Sequence, residues 1–198
     1  MCEKDLKMVA SIYSGLVLQR FGLGRRYSNN RKTVSPSDEK SYYHIPLKAV
    51  EDNKIDLNLL ETIKVEKEVN KRYLLKNGDI IMKLSPPFSA AMINFDCENL
   101  IGSSPFAIIR TSENIDPMYM TYVLNGKNVR KQLNRLVEGG TLAIIKINYL
   151  NQVKIPYRNL EDQIKYAKLL SLLSKRKNLR MKTVELEDSI IEKIISEL

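Results

Sequence analysis

The final forty residues constrain this chain more than any other stretch. After Pro156 there is neither Gly nor Pro, so nothing interrupts a helix that opens at Leu160-Glu161-Asp162-Gln163-Ile164 and continues to Leu198. At ~1.5 Å per residue, such a helix from Asn159 spans about 60 Å. Leu172, Leu179 and Leu186 recur every seven residues and are joined by Ile190 and Ile194, while Val184, Ile191 and Leu198 form a second such series. A helix this apolar, projecting from a domain, needs something to bury it. Lys175-Arg176-Lys177 interrupts the first seam in a way that a domain core would resist. Pairing with another helix is therefore favoured over packing back on the chain's own domain. Leu172, Leu179, Leu186, Ile190 and Ile194 are the candidate dimerisation residues.

The preceding sequence reads as a mixed domain. Alternating or short apolar runs predict strands at Met8–Ser14, Tyr42–Leu47, Thr62–Val65, Asp79–Leu84, Ala91–Phe95, Pro105–Arg110 and Val153–Ile155. Helices are predicted at Pro117–Leu124 and Gly126–Val137, ahead of the long one. A Gly139-Gly140-Thr141 turn leads into the apolar segment Leu142-Ala143-Ile144-Ile145. Leu150 to Pro156 then closes a strand before the turn at Tyr157-Arg158-Asn159. The fold class is α+β, with a domain over residues 1–156 and a helical spacer or dimerisation region over 157–198.

Composition sets outer limits. A chain of 198 residues with 43% hydrophobic content can bury a sizeable core as one domain plus an extension. No apolar run approaches the ~18 residues of a membrane span, and Met1-Cys2-Glu3-Lys4-Asp5 lacks the apolar core of a signal peptide. Cys2 and Cys97 stand alone, as thiols do in a reducing compartment, so the expected location is the cytoplasm.

The net charge of +9 is uneven. Residues 1–48 hold nine Lys/Arg against four Asp/Glu, residues 49–160 fifteen against twelve, and residues 161–198 eight against seven. The excess sits on the globular part, as in a domain that meets phosphate while its rod meets protein. It is sharpest between Arg20 and Lys32, where Arg20, Arg25, Arg26, Arg31 and Lys32 occur with Tyr27, Asn29, Asn30 and two glycines, and without an acid. Gly and Asn mark a loop. Arg grips phosphate bidentately and reads guanine, and Asn pairs with an adenine edge, so these residues are candidates for DNA contact. Lys127, Arg130, Lys131 and Arg135 form a second set near one face of a predicted helix. Bare backbone N–H groups and a hydroxyl at the Gly139-Gly140-Thr141 turn could approach a phosphate closely.

Four segments, in order, carry a family resemblance: Leu6 to Gly15, Leu75-Lys76-Asn77-Gly78-Asp79-Ile80-Ile81, Ile115-Asp116-Pro117-Met118-Tyr119-Met120, and the Gly-Thr to Ile-Pro to Glu-Asp-Gln passage ending in the helix. Together they resemble the specificity subunit of type I restriction-modification systems. The full-length subunit of that family carries two recognition domains and two helical spacers. This chain, with one of each, looks like a half-subunit. The resemblance implies a non-catalytic reader of double-stranded DNA, with Gly140 and Thr141 beside the DNA backbone. The apolar helix suggests pairing with a second copy of the chain, and the resemblance adds methyltransferase subunits and, where present, restriction subunits as partners. S-adenosylmethionine is expected on the methyltransferase subunits, with no cofactor in this chain.

Two other classes stay open. Ser85-Pro86-Pro87-Phe88 matches the [DNS]-P-P-[YFW] motif of amino-methyltransferases, in which the aromatic ring stacks on a flipped base. A βαβ pattern around a Gly-rich turn is missing, since the one GxG, Gly22-Leu23-Gly24, sits among arginines. A basic protein-interaction adaptor is the other alternative. His44 is the single histidine and lies in a strand-like run, no clustered ligands suggest a metal, and no catalytic residue is assigned.

Overall fold

The computed structural model describes residues 2–18, 40–65, 68–138 and 144–197. In chain order the strands are β1 (Cys2–Asp5), β2 (Ala10–Ser14), β3 (Lys40–Ile45), β4 (Val50–Glu51), β5 (Lys54–Ile55), β6 (Glu61–Val65), β7 (Ile80–Lys83), β8 (Ala90–Met92), β9 (Leu100–Gly102) and β10 (Phe106–Thr111). Then follow helices α1 (Pro117–Leu124), α2 (Lys127–Glu138) and α3 (Ile147–Leu150), strand β11 (Lys154–Tyr157) and helix α4 (Leu160–Glu197).

An antiparallel sheet of order β2-β10-β7-β8 is the centre of the domain. Because strand side chains alternate, Ile80, Met82, Ala107 and Ile109 enter one core with α1, α2 and Ile155. Ile81, Phe106 and Ile108 enter a second core with Ile45, Val50 and Leu100 on the other face. Burial on both sides explains why these strands read as continuous apolar runs. A second sheet, β6-β3-β9, pairs β3 with β9 in parallel and covers Leu16, Tyr42, Val65, Val69 and Ile101. The short β4–β5 ribbon ends in a turn at Asp52-Asn53, with Asn53 at φ 61°.

Two glycines have physical reasons. A Cβ on Gly15 would lie 2.1 Å from the Ser103 carbonyl oxygen, so only glycine lets β2 leave so close to the turn before β10. Gly78 sits at φ 89° and turns the chain into β7. Asp79 beside it accepts from the Lys76 N–H (3.0 Å) and from Arg110 Nε (3.1 Å). Arg110 also donates to the carbonyls of Leu74 (2.8 Å) and Arg72 (3.2 Å). The Gly-Asp-Ile segment is thus a buried ion-paired turn that ties the two sheets together.

Two changes of predicted boundary have a physical reason. Leu6–Met8 is a 3₁₀ turn in place of the start of a strand, because Leu6 is buried and its N–H donates to Val153 O (2.9 Å). Ile147–Leu150 is a helical turn that buries Leu150, so the closing strand begins only at Lys154. Of the apolar segment 142–145, Leu142 and Ala143 lie outside the described residues. Ile145 is buried and its N–H donates to Leu84 O (2.8 Å). The helix α1 begins where Asp116 caps the Tyr119 N–H (2.7 Å) with Pro117 in the first turn.

Candidate nucleic-acid interface and rod

Helix α2 is amphipathic. Val129 and Leu133 are buried under it, while Lys127, Lys131 and Arg135, four residues apart, form an exposed stripe. Gln132 fixes the helix against β11, donating to Lys154 O (2.9 Å) and accepting from Lys154 N–H (2.8 Å). The stripe, with Arg130 and Asn134, lines an open depression of about 350 Å³. Arg130 stands apart from the other three cations. Its guanidinium pairs with Asp52 in the β4–β5 turn, and its Nε is buried. Lys127, Lys131 and Arg135 are the exposed cations of this set.

The loop candidates Arg20, Arg25, Arg26, Tyr27, Asn29, Asn30, Arg31 and Lys32 lie outside the described residues, as do Gly140 and Thr141. Phe88 is in the core at 1% exposure, at φ 59°, so the Ser-Pro-Pro-Phe ring is not presented for stacking on a base. His44 is also buried. Its Nδ1 lies 3.5 Å from Glu61 Oε2, and burial lowers its pKa more than Glu61 raises it. No cluster of three or more His, Cys, Asp or Glu suited to a metal occurs among the described residues.

The rod starts from a polar socket. Asn159 caps α4 by accepting from the Asp162 N–H (2.8 Å). Gln163, 0% exposed, accepts from the Asp116 N–H (3.0 Å) and donates to the carbonyls of Asn114 (3.1 Å) and Arg158 (2.8 Å). Ala167 is buried next, and Ser171 and Ser174 are half-buried. The face of α4 against the domain is therefore small and polar, at a spacing of three or four residues. That spacing was visible in the sequence, overshadowed by the leucines. The apolar seam is bare: Leu172, Leu179, Leu186, Ile190 and Ile194 are all exposed, Leu186 at 65%, with Leu179 beside the domain residues Asn53 and Tyr122. Val184, Ile191 and Ile195 are exposed as well. Among the described residues no helix is long and apolar enough to cross a membrane.

With this geometry in hand, the comparisons with known proteins are informative. No protein-family model matches the chain. The type I restriction enzyme MjaVIII specificity subunit of Methanocaldococcus jannaschii is 27% identical over 129 residues, which is 62% of this chain and 30% of that subunit. A chain from a solved type I restriction-modification assembly superposes with a TM-score of 0.68 at 16% identity, over 95% of this chain and 46% of that one. The HsdS subunit of Thermoanaerobacter tengcongensis gives a TM-score of 0.67 at 18% identity, over 93% and 45%. The S subunit of M. genitalium gives 0.53 at 11% identity, over 91% and 41%. The chain spans less than half the length of each of these relatives. In fold, and more distantly in sequence, it is similar to a type I restriction-modification specificity subunit, at somewhat under half that subunit's length.

Proposed function

We propose that the chain is a non-catalytic, sequence-specific DNA-recognition subunit of a type I restriction-modification system, reading one half of a bipartite target. Residues 1–156 form the recognition domain and residues 157–198 the spacer. The observation that carries this reading is a rod with bare apolar faces on a domain of specificity-subunit fold, beside a basic helix face. Phosphate contacts from Lys127, Lys131 and Arg135 supply salt-dependent affinity, and loops supply base choice. Methyltransferase subunits dock on the assembly and carry S-adenosylmethionine.

The partner for the rod is a second copy, antiparallel. From Gln163 to Val184 the helix holds seven Lys/Arg and no acid, and from Glu185 to Glu197 five acids and one Lys. Antiparallel pairing sets the basic half of each helix against the acidic half of the other, while parallel pairing juxtaposes like charges. The two-fold dimer presents the reader twice, so the target has two inverted half-sites whose gap the rod fixes. Light scattering on the purified chain is the test. The expected mass is twice 22.8 kDa, falling to the monomer in Leu179→Asp/Leu186→Asp. A wild-type monomer at high concentration, or selection from random duplexes that yields no inverted repeat, would refute the symmetric reader.

A further inference from the structure

Beside its junction with the domain, α4 forms one wall of a groove of about 380 Å³. Ser171, Ser174, Lys175, Asn178, Leu179 and Lys182 line this wall, facing Asn53 and Tyr122. No acid lines the groove, and no Asp or Glu occurs between Asp162 and Glu185. Lys175 and Lys182 are exposed, seven residues apart on one face of the helix, and make no ion pair among the described residues. The floor offers hydroxyls from Ser171 and Ser174. Opposite, the Asn53 side-chain oxygen is occupied by the Asn125 amide (3.0 Å).

This groove adjoins the basic stripe on α2. Asn53 lines the groove, and its chain neighbour Asp52 holds Arg130 in the α2 depression. The β4–β5 turn is thus the divide between two acid-poor surfaces, and it neutralises Arg130 alone. Lys127, Lys131 and Arg135 line one of these surfaces, and Lys175 and Lys182 the other.

We propose that the groove between α4 and the domain is a second binding site for the sugar-phosphate backbone of duplex DNA. It holds backbone at the rod, where sequence is not read. The proposal rests on the DNA-recognition reading above and adds a site to it. Hydroxyl and amide groups around two lysines suit phosphate oxygens, and the one leucine lining the groove, Leu179, leaves it mostly polar. Each lysine then releases a counterion on binding, contributing about 0.9 to the slope of log K against log salt.

The test compares wild type with Lys175→Ala/Lys182→Ala in binding a fluorescent random-sequence duplex of about 40 base pairs, across salt from about 50 to 200 mM. Alanine keeps the helix, and Lys193→Ala is the control in the distal acidic half. The expected result is a slope shallower by about 1.8 for each protomer engaged, or about 3.6 when both protomers of the dimer hold the duplex. Wild type then loses about tenfold more affinity per engaged protomer than the double variant over that range. The loss should be equal for target and non-target duplexes, with dimer mass unchanged. Unchanged slope and affinity in the double variant would overturn the site while leaving the recognition reading intact. Dissociation to monomers would overturn it too, by assigning the lysines to the helix pair. A wild-type chain that binds no duplex at low salt would remove the recognition reading, and the groove with it.

Discussion

Replacing Gln163 with Leu isolates what fixes the rod to the domain. Leucine keeps nearly the same volume in a position with no solvent exposure, so little packing is lost. What disappears is one acceptor for the Asp116 N–H and the donors to Asn114 O and Arg158 O. At about 1 kcal/mol net for each hydrogen bond, the three together are worth about 3 kcal/mol. Urea denaturation followed by tyrosine signals and far-ultraviolet circular dichroism measures it, with protomer concentration held fixed because association raises apparent stability. A companion Gln163→Glu variant keeps the acceptor but turns a second oxygen toward two carbonyls. Burial and those carbonyls raise the folded-state pKa of the new carboxyl above its unfolded value of about 4.3. Its stability relative to wild type is therefore greatest when both states are protonated and falls as pH rises through the raised pKa. A Gln163→Leu loss below about 0.5 kcal/mol, or a Gln163→Glu deficit that does not grow with pH, would refute the socket.

Arg110→Met strips buried Asp79 of its half-buried cation and frees the Leu74 carbonyl, and should destabilise by about 3 kcal/mol, read in the same denaturation. His44 gives the chain a pH response. Burial lowers its pKa below the usual imidazole value despite Glu61, which also pairs with Lys48. The unfolded chain thus binds the proton first as pH falls. Stability from this group is present above about 6.5 and is lost as pH drops through the folded-state pKa. His44→Gln should flatten melting temperature between about pH 7.5 and 5.5, and an unaltered profile would exclude His44 as its source.

Where local chemistry dictates structure, the sequence was legible. Asp116-Pro117 set the start of α1 through cap and fixed φ, and the absence of breakers after Pro156 announced α4. Strand β1 was not readable, because Cys-Glu-Lys-Asp is polar and its partner β11 lies about 150 residues away. Nor was β9, three residues held by parallel pairing with β3. The basic stripe on α2 was visible as a pattern, but nothing in it revealed that Asp52, 78 residues upstream, would capture Arg130. Beside Glu161 and Asp162, nothing local marks Gln163 as buried. Its burial depends on where Asn114 and Asp116 sit, which only the fold determines.

The pairing of β1 with β11 has a mechanical consequence. Cys2 and Tyr157 are cross-strand partners, so β1 lies about 5 Å from where the chain hands over to the stem. Everything folded between β1 and β11 is a cassette clasped at its base. Its interior can be exchanged for another without moving the point at which the stem begins. Such a graft must keep β1, β11 and the backbone groups of Asn114 and Asp116 that seat Gln163.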